Sequence, residues 1–86
     1  MIVRIPTPLR SYTDEASKAE ADGSTVDEVL IDLDRRFPGL RFRVVDEQGR
    51  LRPHMKVFVN VEAVRDLATP VGERDELTIM QALSGG

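Results

Sequence analysis

Few residues of this chain can take part in chemistry, and their spacing narrows them further. None of the 86 residues is cysteine, which removes disulfides, thiolate metal sites and cysteine nucleophiles. The lone histidine, His54, has no second histidine to share a metal and no serine or cysteine partner in a recognisable motif. It reads as a surface or edge-strand histidine. Asp27, Glu28, Asp32 and Asp34 lie close together, but no turn of chain wraps ligands around them. They fit a solvated helix face, and no metal site is expected. None of the six glycines stands in G-x-G-x-x-G or P-loop spacing. An autonomous enzyme is therefore not expected.

What remains is the end of the chain. Gly85-Gly86 carries a free α-carboxylate, and glycine matters there for two reasons. Without Cβ the backbone can thread a narrow tunnel, and nothing shields the terminal carbonyl from a nucleophile. A carboxylate is a poor electrophile and must first become an acyl-adenylate, which requires ATP and a separate enzyme. A frayed, glycine-rich end is the alternative for such a pair. The residues before it decide between the two.

Charge, length and hydropathy bound the class. Twelve Lys and Arg against fifteen Asp and Glu give a net charge of −3, which argues against electrostatic nucleic-acid binding. No basic patch is legible along the chain. Hydrophobic residues make up 41% and charged residues 31%, the balance of one small globular domain with a modest core. Apolar runs stop at three residues, far below the roughly 18 of a membrane span. Met1–Arg10 does not read as a signal peptide, so the cytoplasm is the expected compartment, with no membrane partner.

The elements that must position the chain end follow from periodicity. Residues 1–5 form a strand with Met1, Val3 and Ile5 on one face, ended by Pro6 and Pro8. A loop through Ser11–Asp14 leads to a weaker strand, roughly Ser17 to Ala21, antiparallel to the first. Thr25-Val26-Asp27-Glu28 is a capping box. Val26, Val29, Leu30, Leu33 and Phe37 then form the apolar stripe of a helix that Pro38-Gly39 stops. Residues 41–45 fit a strand or an irregular turn equally. Any strand over residues 51–55 contains Pro53 and so belongs at an edge. Lys56–Asn60 is a strand with Val57 and Val59 on one face and Phe58 on the other, and residues 61–64 can form its return arm. Gly72–Asp75 is a turn before a last strand, Glu76–Gln81, with Leu77 and Ile79 inward and Thr78 and Met80 outward. One helix over a four- or five-stranded sheet leaves one sheet face open to solvent or to a partner.

In this order, the pieces resemble the β-grasp, ubiquitin-like sulfur carriers, a family that includes the small subunit of molybdopterin synthase and the thiamine-pathway (thiazole) carrier. The matching pieces are the N-terminal hairpin, the helix from Thr25-Val26 to Phe37-Pro38-Gly39, and Gly49-Arg50-Leu51-Arg52-Pro53-His54 before Val57-Phe58-Val59-Asn60. Gly72-Glu73-Arg74-Asp75-Glu76-Leu77-Thr78-Ile79 and Ser84-Gly85-Gly86 complete the match. Two departures stand out. Val61 follows Asn60 where the family often has glycine, so that hairpin needs another turn type, and Ser84 replaces a frequent alanine. The resemblance implies an α+β, β-grasp domain over residues 1–83 with a tail, 84–86. It also implies a mixed four- to five-stranded sheet with one main helix on one face.

The same resemblance implies a division of labour. Gly86 would be adenylated by a partner of the ubiquitin-activating type. A sulfurtransferase or sulfide source would convert it to a thiocarboxylate, and a sulfur-accepting synthase would take the sulfur for cofactor, cysteine or tRNA-thiolation biosynthesis. The chain would bind no cofactor itself, using ATP and a sulfur donor through its partners. Leu83, Ser84 and Gly85 would lie along the partner's tunnel, Leu83 at its mouth. If their strands are neighbours, Phe58 and Met80 would add an exposed apolar docking patch. The alternative for Phe58 is a minor core under a loop. Two other functions fit the sequence: a protein modifier joined through Gly86 to target lysines, and an interaction adaptor with an inert tail.

Overall fold

A computed structural model of the chain describes residues 1–82. β1 (Ile2–Arg4) pairs antiparallel with β2 (Lys18–Glu20), Val3 opposite Ala19, as the alternation of both segments requires. Between them Thr7–Thr13 winds into a 3-10 helix rather than the expected loop. Pro6 and Pro8 preset φ for its first turn, and the turn drives Leu9 into the core, where it is buried. The Thr13 hydroxyl, also buried, donates to the Ala16 carbonyl at 2.8 Å and closes the segment.

The main helix α1 (Val26–Arg36) begins as its capping box dictates. The Thr25 hydroxyl accepts from the Glu28 amide at 3.1 Å, a contact worth about 1 kcal/mol. The Glu28 carboxylate accepts from Ser24 N at 2.9 Å, one residue before the usual partner. Val26, Val29, Leu30 and Leu33 are buried and Phe37 is half-buried.

Residues 41–45 are neither strand nor irregular turn. They belong to a short helix, α2 (Leu40–Val44), followed by an extended Val45. Gly39, at φ 96°, reverses the chain after Pro38. The Asp34 carboxylate accepts from the amides of Gly39 and Arg41, both at 3.1 Å. Leu40 and Val44, one turn apart, are both fully buried, and Arg41 ties the new helix to α1 through Asp27 at 2.7 Å. Five residues are too few for a helical period to show in sequence.

β3 (Met55–Val59), β4 (Glu62–Val64) and β5 (Leu77–Gln81) complete a mixed five-stranded sheet in the order β2-β1-β5-β3-β4. β5 sits at the centre, parallel to β1 and antiparallel to β3. Residues 51–55 do not form the expected edge strand. Leu51 makes a single bridge to Val45, while Met55 opens β3, paired with Gln81 of β5 and fully buried. Pro53 lies before β3, where no ladder amide is needed. Val3, Ile5, Met55, Val57, Leu77 and Ile79 join the α1 stripe in one core. Each such aliphatic side chain contributes about 1.5–3 kcal/mol on burial. Among the described residues no helix covers the opposite sheet face, where Lys56 and Met80 are exposed.

Candidate functional site: the uncovered sheet face and the root of the tail

The ladder registers place the outward residues in rows across the sheet. Lys56 lies opposite Met80, and Phe58 lies between Ala63 and Thr78. Thr78 in turn faces Arg4, and Arg4 faces Lys18. Since Val57, Ile79, Leu77 and Val3 point into the core, all of these residues share the uncovered face. Phe58 and Met80 are therefore on one face of neighbouring strands, but diagonal rather than opposite. Lys56 and Thr78 occupy the other two corners. Met80 is 47% exposed, Phe58 half-buried.

Two shallow depressions flank this diagonal. Met80 and Thr78 line one with Ile5, Pro6, Pro8 and Arg10. Phe58 lines the other with Lys56, Ala63, Val64 and Arg65. The second is a partial shelter for the ring and accounts for its intermediate exposure. Periodicity identified the two apolar members of the face. It did not identify Arg4, Lys18 and Lys56, because their neighbours come from distant parts of the chain.

The root of the tail is held by backbone. Ala82 N donates to the His54 carbonyl at 2.8 Å, extending the β3–β5 ladder past Gln81 opposite Met55. His54 thus takes part through its main chain, and its ring is exposed on the surface. Leu83, Ser84, Gly85 and Gly86 lie outside the described residues.

Electrostatics at the other end of β5 organise its start. Arg4 pairs with Glu76. The Gly72 amide and then the Asn60 side-chain amide hold the Asp75 carboxyl below its usual range. Asp46 is lowered chiefly by the Arg50 amide, and Asp32 chiefly by the Asp22 amide with help from Arg36. All three are turn or helix-end devices far in function from the tail root. Among the described residues no three His, Cys, Asp or Glu side chains are grouped to hold a metal ion, and no helix is long and apolar enough to cross a membrane.

A mixed five-stranded sheet in this order with a helix packed on it is the β-grasp fold of ubiquitin-like proteins, and comparison with known proteins gives the family. The ThiS family model matches residues 3–86, and the chain belongs to this family of ubiquitin-like sulfur carriers. It is 36% identical over 89 residues to the sulfur carrier protein CysO of Mycobacterium bovis, covering 98% of this chain and 96% of the relative. The crystal structure of the Amycolatopsis orientalis BexX/CysO complex contains a chain that superposes with a TM-score of 0.92 at 40% identity. That match covers 99% of this chain and 98% of the other. SAMP1 of Haloferax volcanii, a small archaeal modifier protein, superposes at 0.79 with 29% identity over 100% of this chain and 98% of its own.

Proposed function

We propose that this chain carries sulfur on its C-terminal carboxylate. A partner adenylates Gly86: a carboxylate oxygen attacks the α-phosphorus of ATP and pyrophosphate leaves. Sulfide then displaces AMP from the carbonyl and leaves a thiocarboxylate, or a persulfide does so through an acyl disulfide that a thiol cleaves. The thiocarboxylate hands its sulfur to an acceptor on a second protein. In this reading the partners supply all catalysis, and the chain supplies a recognisable body and a reactive end.

One observation carries the reading. The central strand of a ThiS-family domain, fastened at Ala82, leads within four further residues to Gly86. The relatives named sulfur carrier protein CysO support it. So does the presence of a CysO chain in a complex with BexX, which shows that such a domain engages a partner protein. Phe58 and Met80 on the uncovered face, together with Leu83, Ser84 and Gly85, are proposed to meet that partner. The test is the intact mass of the protein from its native host. Replacement of one terminal oxygen by sulfur is the expected result, and a pool with only carboxylate, before and after incubation with the host's adenylating enzyme, ATP and sulfide, would refute it.

The likeness to SAMP1 favours a second use of the same activated end, attachment of Gly86 to lysines of other proteins. Isopeptide-linked adducts recovered from the native host would establish it, and their absence under sulfur limitation and oxidative stress alike would dismiss it.

A further inference from the structure

The chain has only two lysines, Lys18 and Lys56. They stand on β2 and β3 with two strands, β1 and β5, between them in the sheet, and both project from the uncovered face. Lys18 lies opposite Arg4, and Lys56 opposite Met80. Arg10 adds a fourth cation at the rim of the Met80 depression, its Nε donating to the Ile5 carbonyl at 3.1 Å. Arg4 is paired with Glu76. Among the described residues Lys18, Lys56 and Arg10 have no acid within ion-pair distance.

The acids of this face lie elsewhere on it. Glu20 is opposite Ile2, and Glu76 precedes Leu77, so both sit in the row at the start of β5. Ala82 is at its other end. A chain of net charge −3 thus presents a face whose tail-side half is cationic around an apolar centre, Met80 and Phe58. Asp14 and Glu15 follow the 3-10 helix, Glu62 stands on β4, and most of the other acids are spent on α1, on caps and on turns.

We infer that the protein surface receiving the tail is acidic around an apolar slot, and that Lys18 and Lys56 draw the two proteins together in register. The inference rests on the carrier reading and adds the chemistry of the partner to it. Opposite charges on docking surfaces raise association rates by about 10- to 1,000-fold, and salt weakens the effect. The exposed apolar pair amid the cations favours a protein over a nucleic acid, whose binding grows with the number of phosphates neutralised.

The experiment is ATP–pyrophosphate exchange by the adenylating enzyme of the same organism, with the KM for this chain measured from about 50 to about 300 mM KCl, a range over which screening tightens strongly. The KM of the native chain should rise several-fold with salt. The Lys18→Glu/Lys56→Glu variant should start about tenfold higher and respond less to salt, with kcat little changed. Lys18→Arg/Lys56→Arg should behave as the native chain. Arg43→Glu makes the charge change of one of these two substitutions at an exposed position of α2, which packs against α1, and should leave KM alone, whereas Lys18→Glu and Lys56→Glu should each raise it. A native KM that ignores salt, or a double variant that matches the native chain, overturns the inference while leaving the carrier reading in place. Tight binding of a short single-stranded oligonucleotide that the double variant loses overturns it in favour of nucleic acid. Absence of any exchange with the native chain overturns the carrier reading and this inference with it.

Discussion

Asn60 decides how β3 meets β5, and its substitution can be worked through in detail. It opens the two-residue turn between Val59 and Glu62 with φ at 54°, while Val61 keeps a negative φ. The turn therefore differs from the type that Asn-Gly forms, which needs positive φ at both positions. Its side chain donates to Asp75 Oδ1 at 2.9 Å and accepts from Glu76 N at 3.0 Å. Its backbone amide donates to the Glu76 carbonyl at 2.8 Å. These bonds join the end of β3 to the start of β5 and help to set the register that puts Met80 beside Lys56. Asn60→Ala and Asn60→Gly lose the same two side-chain bonds, so their difference isolates the backbone. A Cβ in the left-handed region costs about 1–2 kcal/mol, and the extra freedom of glycine in the unfolded chain returns about 0.4–1 kcal/mol. Asn60→Gly should therefore be the more stable of the two by about 0.5–1 kcal/mol, which in a domain of this size raises Tm by roughly 2–8 °C. Both should melt below the native chain. Calorimetry on the three proteins reads this directly. An alanine variant equal to or above the glycine variant would refute the assignment of Asn60 as a left-handed turn residue.

Other expectations concern the face, the tail and pH. Phe58→Asp should leave a cooperative melt, because the ring is only half-buried on the uncovered face, yet should raise the KM for activation by placing a charge in an apolar contact. Loss of the folded state would instead make Phe58 a core residue. Deleting Gly86, or changing it to Val, should abolish adenylation with Tm changed by no more than its measurement error, since among the described residues the buried core lies within residues 3–79. One added residue after Gly86 should disable the chain equally, because the carboxylate moves by about 3.3–3.6 Å onto another residue. Asp32, Asp46 and Asp75 all have lowered carboxyl pKa values. The folded state then holds fewer protons than the unfolded one. Their stabilisation is in place above the unfolded value of about 3.9 and is lost as pH falls through the folded values. Tm should drop below about pH 4, and Asp75→Asn should flatten part of that fall; an unchanged acid limb would contradict the role given to the Gly72 and Asn60 contacts.

Much of the architecture was legible because its causes are local. Thr25 and Glu28 announce the start of α1, five apolar residues at helical spacing give its buried face, and Pro38-Gly39 ends it. Alternation in β3 and β5 sorted Val57, Leu77 and Ile79 from Phe58, Thr78 and Met80 correctly, since a strand's side chains point to opposite faces whatever its neighbours are. Where the cause is not local, periodicity was silent or misleading. Thr7–Thr13 winds into a 3-10 helix in order to bury Leu9. Leu40–Val44 becomes helical because Asp34, five residues before Gly39, caps it and because Leu40 and Val44 find the core. Pro53 suggested an edge strand, yet the ladder begins two residues later, at Met55.

By itself, the sequence determined that the chain has a main helix over a sheet and which side of its principal strands faces that helix, and it singled out the glycine carboxylate at residue 86 as the candidate reactive group. Those properties depend on residue type and spacing within a few positions. Tertiary structure alone decided which strands are neighbours. It placed β5 between β1 and β3 and set Phe58 diagonal to Met80. It also brought Lys18, Arg4, Arg10 and Lys56 together on one half of one face. Pairing between distant segments is set by the burial of the whole inward face at once, so the charge pattern it creates on the outward face cannot be read from any one stretch of the chain.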